Sequence, residues 1–268
     1  MALSVRRMAA SALGRLLSRP RWRERLERLG GFPSADPPTY FEVHDLESLY
    51  RVVHHNGGAL DIGPETLGEN LRALARLAQS VAREGMVLVE VGSWKGASTA
   101  VLAHVARAHK GRVFPVDHWR GSPGVSHHAP ARRLDVLSVF RRNMRALGLE
   151  NVVYPLVMPS AIAADLFPDG TADLVFLDAD HRYHAMRHDL ERWHPKLRPD
   201  GILCGHDSET HYGALPPTQQ RLVDEHLEED TVGELHPGVL RALHDVFGDA
   251  HTIVPGTTIW YAPPRNVP

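Results

Sequence analysis

The chain of 268 residues has one cysteine, three lysines and almost no net charge, and each shortage closes off a class of protein. A single thiol, Cys204, excludes an internal disulfide framework and any zinc cluster built on cysteine, and points to a reducing, cytoplasmic setting. A formal net charge of −2 removes the bulk electrostatics by which a whole chain holds nucleic acid. No run of 18 apolar residues occurs, so no membrane-spanning helix is expected. The dinucleotide fingerprint G-x-G-x-x-G is also missing, as are internal repeats and low-complexity tracts. Against these absences stand 43% hydrophobic and 23% charged residues, values of a globular chain long enough for one large domain with a true core. The basic residues are almost all arginine, and 18 histidines are many for this length.

Residues 1–30 carry eight arginines and only two acids, Glu24 and Glu27. Leu13, Leu16 and Leu17 precede Pro20, and Trp22, Leu26 and Leu29 follow it, all at helical spacing. The pattern predicts two short amphipathic helices, an N-terminal arm that packs on the domain or joins a second subunit; transit peptides and membrane-surface helices share this composition. GFPSADPP at 31–38 reads as a linker. The expected division is therefore an arm and linker over 1–38 and one domain over 39–268.

Pro64 opens a helix with a stripe of Leu67, Leu71, Leu74, Ala78 and Val81. Five apolar runs follow: Met86–Val91, Arg112–Val116, Val152–Val157, Asp173–Leu177 and Gly201–Cys204. Helical patterns separate them at Ala97–His109, Arg132–Leu147, Ala161–Phe167 and Tyr183–Leu197. Near-continuous apolar runs suit strands covered on both faces, and regular alternation with helices predicts a doubly wound α/β domain with a mostly parallel sheet. Two more helices are expected after Pro217 and Pro237. His251–Val254 and Thr257–Tyr261 then form an antiparallel hairpin, bringing the sheet to seven strands.

Ligands of such a sheet sit at the carboxyl ends of its strands. The first run ends Glu90-Val91-Gly92-Ser93-Trp94-Lys95-Gly96, where two glycines four apart let the backbone turn tightly at a helix start. The second ends in Asp117, the place of an acid that accepts ribose hydroxyls, followed by His118 and Trp119. A ribose acid without a pyrophosphate cradle points to a nucleoside lacking a diphosphate. The fourth run ends Asp178-Ala179-Asp180-His181 and the fifth His206-Asp207. Neighbouring strands lie about 4.8 Å apart, so Asp178, His206 and Asp207 are expected to converge as a divalent metal site. Two Gly- and Pro-bearing segments, 120–128 and 211–220, are candidate lids.

VEVGSWKGAST followed by PVDHW resembles motif I and the second-strand acid of class I S-adenosylmethionine-dependent methyltransferases, over most of residues 85–262. The resemblance implies that Gly92, Ser93 and Gly96 flank the methionine part of the cofactor, that Glu90 orients the loop or the amino acid moiety, and that Asp117 holds the ribose. It further implies His118 and Trp119 beside the adenine, Ser160 at the adenine edge and Asp180 near the cofactor. The acids on the fourth and fifth strands resemble those of the metal-dependent O-methyltransferases related to catechol and caffeoyl-coenzyme A methylation, most closely the bacterial branch acting on sugars and antibiotic scaffolds. That resemblance implies Asp178, His206 and Asp207 as ligands of a divalent cation, with Mg²⁺ first and Mn²⁺ or others admitted by the imidazole. His206 stands where the family more often has a carboxylate, and a place behind the first ligands is open to it. His181 occupies the place of a lysine base and is taken as general base, with Asp178 beside it. The implied acceptor is a small hydroxylated molecule, not nucleic acid, since LDADHRY lacks the Asn-Pro-Pro-Tyr tetrad that grips a flipped amine. The alternatives are a non-haem iron oxygenase using His206, Asp178 and His181, and a non-catalytic S-adenosylmethionine-binding scaffold. An NAD-dependent oxidoreductase is disfavoured by the missing fingerprint.

Overall fold

The computed structural model describes residues 22–29, 41–54, 60–62, 68–124 and 128–262. Its strands are β1 (Val87–Val91), β2 (Arg112–Asp117), β3 (Leu156–Val157), β4 (Ala172–Leu177), β5 (Leu197–Gly205), β6 (Thr252–Ile253) and β7 (Trp260–Tyr261). They form one sheet in the order β3-β2-β1-β4-β5-β7-β6. Strands β1 to β5 pair in parallel, and β7 runs antiparallel between β5 and β6. The order turns back between β1 and β4, which places the ligand crevice at their carboxyl ends. The helices are α1 (Trp22–Leu29), α2 (Leu46–His54), α3 (Gly68–Ser80), α4 (Ala97–Ala108), α5 (His128–Ala131), α6 (Val136–Ala146), α7 (Ser160–Ala164), α8 (Tyr183–Trp193), α9 (Pro217–Glu225) and α10 (Pro237–Phe247).

Strand alternation divides the core in two. In β1, Leu88 packs with Leu71, Leu74 and Val101 of α3 and α4, whereas Val87, Val89 and Val91 join Leu190 and Trp193 of α8 and Leu243 of α10. All five β1 residues are buried, and each apolar one contributes roughly 1.5–3 kcal/mol by leaving water. Glu90 shares the parity of Leu88, so its carboxylate is directed toward the α4 side rather than into open solvent.

Several expected elements are shorter than their apolar patterns. Only Leu156–Val157 forms the third strand, with Val153 making an isolated bridge to Val113, because Pro155 interrupts the ladder by lacking an N–H. The fourth helix ends at Trp193, before the 3₁₀ turn at His194–Lys196 that contains Pro195, and Leu197 becomes the first residue of β5. The pattern over Arg132–Leu147 is broken by Asp135, which caps α6 by accepting from the Ser138 N–H at 3.1 Å. The hairpin is cut to Thr252–Ile253 and Trp260–Tyr261. Of the arm, α1 packs on its own domain: Leu26 is fully buried, Trp22 meets Phe167 edge-on at 5.8 Å, and Glu27 pairs with Arg112 at 3.0 Å. The first arm helix and the 31–38 linker lie outside the described residues, as does the start of the helix expected at Pro64. Among the described residues no helix is long and apolar enough to cross a membrane.

At the other end of the sheet, the buried Asp173 accepts from the Val87 N–H at 2.7 Å and from Arg83 Nε and Nη2 at 2.5 and 3.0 Å. Asp173→Ala strands a guanidinium and a β1 amide, and should lower unfolding stability by about 3 kcal/mol. Urea denaturation measures this, and an unchanged midpoint would refute it.

Candidate active site

A cleft of about 590 Å³ opens at the carboxyl ends of β1, β2, β4 and β5. Its floor is the turn after β1. Gly92 has φ +86°, and a Cβ there would lie 1.9 Å from the Asp178 carbonyl oxygen, so no other residue passes this crossing. Gly96, at φ +95°, caps the start of α4 against Phe140 and Met144. Ser93 is buried and lines the cleft. Asp117 gathers this turn: Oδ2 accepts the N–H groups of Ser93 and Trp94, both at 3.1 Å, and Oδ1 accepts that of Trp119 at 2.6 Å. With about four acceptor sites on a carboxylate, one remains free.

Glu90 lies beneath the floor, fully buried and absent from the cleft wall, with Thr99 Oγ1 donating to its Oε2. Burial pushes its carboxyl from 4.5 up to about 7, against the hydroxyls of Ser98, Thr99 and Ser93. It bonds the first turn of α4.

Trp119 is a correction. At φ 53° its backbone turns the ring into the core, where it packs on Phe140 at 5.1 Å and donates from Nε1 to the Trp94 carbonyl at 2.7 Å. It forms no wall of the cleft; His118, half-exposed, does. Ser160 lines the opposite side and is already engaged, donating to Asp189 at 2.5 Å and accepting from Trp193 Nε1 at 2.7 Å. Burial pushes the Asp189 carboxyl up to about 6. Asp180 is clasped by Arg182 Nε and Nη2 at 2.8 and 2.5 Å, which outweighs burial and holds it below the usual carboxylate range.

The rim of β4 and β5 is a mixed cluster of carboxylates and imidazoles. Ligand atoms of Asp178, His206 and Asp207 lie within 4.8 Å of one another, as the strand ends predicted. A second group satisfies the same limit: His181, Asp207 and His236. His206, Asp178 and His181 are not brought together in this way. Asp207 sits at φ 63° between two rings, with His181 Nε2 at 2.9 Å and His206 Nδ1 at 2.8 Å. Burial raises its carboxyl, but the two imidazoles reverse this and hold it well below the usual range.

His181, expected as the general base, is held between acids. Its Nδ1 meets Asp230 at 2.8 Å and its Nε2 faces Asp207, with Asp178 at 3.9 Å. Burial opposes a charge on the ring, and these three acids overturn that, raising its basicity well above the ordinary value. The Nε2 contact is near but poorly aligned for a hydrogen bond, leaving a buried ring nitrogen without a proper partner. Two carboxylates, imidazoles and this nitrogen form a donor set suited to a divalent cation.

His206 is held from behind. Asn70 Nδ2 lies 2.6 Å from its Nε2, and the Thr258 N–H donates to Asn70 Oδ1 at 3.1 Å, which fixes the direction of the amide. Burial favours the neutral ring, while Asp178 and Asp207 draw its basicity up to about 9. The amide is the stricter constraint, since a proton on Nε2 would point at an N–H donor, so the neutral Nδ1–H tautomer is favoured. Asn70, Glu209, Asp230 and His236 escaped the sequence reading. Only His236 carried a signal, as the residue before the helix-opening Pro237.

With this geometry in place, the comparisons are specific. Residues 89–208, which span every strand end around the cleft, match the family described as methyltransferase domain. This stretch is thus similar to a methyltransferase domain. The solved structure of cofactor-bound Rv0187 from MTB aligns with a TM-score of 0.53 at 17% identity, covering 88% of this chain and all of that one. An O-methyltransferase from Bacillus cereus in complex with SAH aligns at 0.50 and 17% identity, covering 82% of this chain and 91% of that one. Both likenesses establish the fold. An uncharacterized protein, y4gI, of Sinorhizobium fredii is 27% identical over 124 residues, 46% of this chain and 13% of that protein. The matched region thus spans about one eighth of that relative's length. The family match favours a methyltransferase over the oxygenase alternative.

Glu90 gives the protein a pH signature. An acid whose folded value is raised keeps its proton in the native state while the unfolded chain loses it. Stability from this group is therefore present below pH 4.5, falls as pH rises to about 7, and stays lower above. The drop is on the order of 3 kcal/mol. Glu90→Gln should flatten that part of the stability–pH curve, and an unchanged slope between pH 4.5 and 7 would count against it.

Proposed function

We propose that the protein is an S-adenosylmethionine-dependent methyltransferase that transfers the methyl group to a hydroxyl of a small molecule, a sugar or secondary-metabolite scaffold, with the help of a divalent cation. The observation that carries this reading is the convergence of Asp178, His206 and Asp207 at a rim continuous with the cofactor cleft. The cleft's volume falls within the range of small-molecule sites, and the near-neutral chain suits an uncharged acceptor.

A bound cation supplies one thing here, a lowered pKa for a hydroxyl brought against it. The rest falls to the chain. Asp178 and Asp207 would hold the cation, and His206, through its Nδ1–H, aims the Asp207 carboxylate. Gly92, Ser93 and Gly96 offer backbone to the methionine part of the cofactor, and the free acceptor site of Asp117 takes a ribose hydroxyl. His118, Ser160 and Asp180 bound the nucleoside. The sulfonium methyl is already activated, so catalysis reduces to alignment of the acceptor oxygen and removal of one proton. Asp178, whose Oδ1 lies 3.9 Å from His181 Nε2, is placed to accept that proton, with His181 as the other candidate base. His181 can accept it only once Asp207 is drawn off Nε2.

Two measurements test this. By calorimetry, Asp117→Ala should weaken S-adenosylmethionine binding about tenfold or more, the loss of a hydrogen bond to a charged group. Strong chelator, Asp178→Ala and Asp207→Ala should each abolish methyl transfer while leaving cofactor affinity within about twofold, since Asp178 meets the cofactor turn through its backbone, which the substitution keeps. Turnover indifferent to chelator would overturn the cation's part.

A further inference from the structure

The second ligand group at the rim was not visible in the sequence, and its surroundings are more telling than its spacing. Each of its two histidines has a carboxylate of its own on Nδ1: Asp230 on His181 at 2.8 Å and Glu209 on His236 at 2.7 Å. Glu209 also accepts the His236 backbone N–H at 3.2 Å, so the acid grips that residue twice. For His181 the Asp230 contact leaves Nε2, 2.9 Å from Asp207, to offer, and histidines that bind metal are characteristically held this way; His236 stands 3.8 Å from Asp207 Oδ1 through Nδ1. The two rings meet edge to face, 4.7 Å between centroids.

The fold brings them together on purpose-shaped backbone. Gly238, in the first turn of α10, lies so close to the segment starting α8 that a Cβ would sit 2.3 Å from both the His181 carbonyl oxygen and the Tyr183 nitrogen. Only glycine lets the helix that carries His236 approach that segment. His206, by contrast, has spent both nitrogens, one on Asp207 and one on Asn70.

We propose that the cation binds to His181, His236 and Asp207, a two-histidine, one-carboxylate set, and that it is a transition metal rather than Mg²⁺. His206 then serves as a positioning residue for Asp207, and Asp178 is left as the proton acceptor. Imidazole ligands favour Mn²⁺, Fe²⁺, Co²⁺ or Zn²⁺, whereas Mg²⁺ seeks oxygen. The inference rests on the cation-dependent reading above, moves the cation from Asp178 onto the two histidines while keeping Asp207, and concerns binding alone.

The test uses the full chain, titrated with MnCl₂ and separately with MgCl₂, without cofactor or acceptor. Calorimetry gives affinity, and pulsed electron paramagnetic resonance of bound Mn²⁺ gives coupling to imidazole nitrogen. Expected are Mn²⁺ binding about tenfold or more tighter than Mg²⁺, and nitrogen coupling from two rings. His236→Gln should remove one coupling. Glu209→Gln, which keeps the ring, should weaken Mn²⁺ by about 10–100-fold and serves where the former variant does not fold. His206→Gln should leave both couplings in place. Mn²⁺ bound without nitrogen coupling, or with affinity untouched by Glu209→Gln, would overturn the proposal. Chelator-sensitive turnover alongside such a result would leave the O-methyltransferase reading standing. Nitrogen-coupled Mn²⁺ with chelator-indifferent turnover would support this site and sink the cation's catalytic part.

Discussion

The arrangement of the site depends on one backbone crossing. The turn after β1 passes the end of β4 at Gly92, where only a hydrogen fits beside the Asp178 carbonyl, while the Asp178 N–H donates to the Val91 carbonyl at 2.8 Å. The cofactor turn and the first acid of the rim are thereby one rigid piece. Any movement of the turn displaces Asp178, so methyl donor and acceptor-binding groups cannot drift apart. Such precision is needed where alignment supplies most of the rate. Asp117 secures the same turn from β2 by three amide bonds. Residues from three strands thus converge with little reliance on flexible loops.

The rim beyond that crossing gathers Asp178, Asp207, Asp230 and Glu209, an assembly that would repel itself if left alone. His181, His206 and His236 are interleaved among them at 2.7–2.9 Å from their nearest carboxylates. Removing solvent strengthens both the repulsion and the compensating attractions, so the cluster is held only as a whole. Asp207 lies at its centre with a left-handed backbone, an arrangement that persists where surrounding contacts over-determine it.

Strand ends were legible because each functional residue follows directly on an apolar run. Gly92, Asp117, Asp178 and Asp207 could be named from that rule alone, and the doubly wound, mostly parallel sheet followed from alternation, though its strand order did not. Trp119 misled because an aromatic beside a ribose acid reads as a wall, whereas a single positive φ turns it inward. His236, Glu209 and Asn70 were illegible for another reason. They sit at helix starts or loops far along the chain, and only the packing of α10 on α8, and of α3 near Thr258, delivers them to the rim. Pro155 and Asp135 were visible in the sequence, yet their power to shorten a strand and split a helix was overridden in the reading by longer apolar patterns.

The surplus of histidine shows how far residue type alone underdetermines chemistry. His251 is buried at the far edge of the sheet, packed on the His211 ring at 4.4 Å between centroids. Burial and its neighbour's charge push it down to about 4, so it remains a neutral packing group. His181 is likewise largely buried, but three carboxylates reverse the sign of its shift. The same side chain is inert in one place and chemically engaged in the other because of what faces its two nitrogens. A histidine becomes informative when an acid fixes one nitrogen and leaves the second directed at other ligands, a condition that His181 meets.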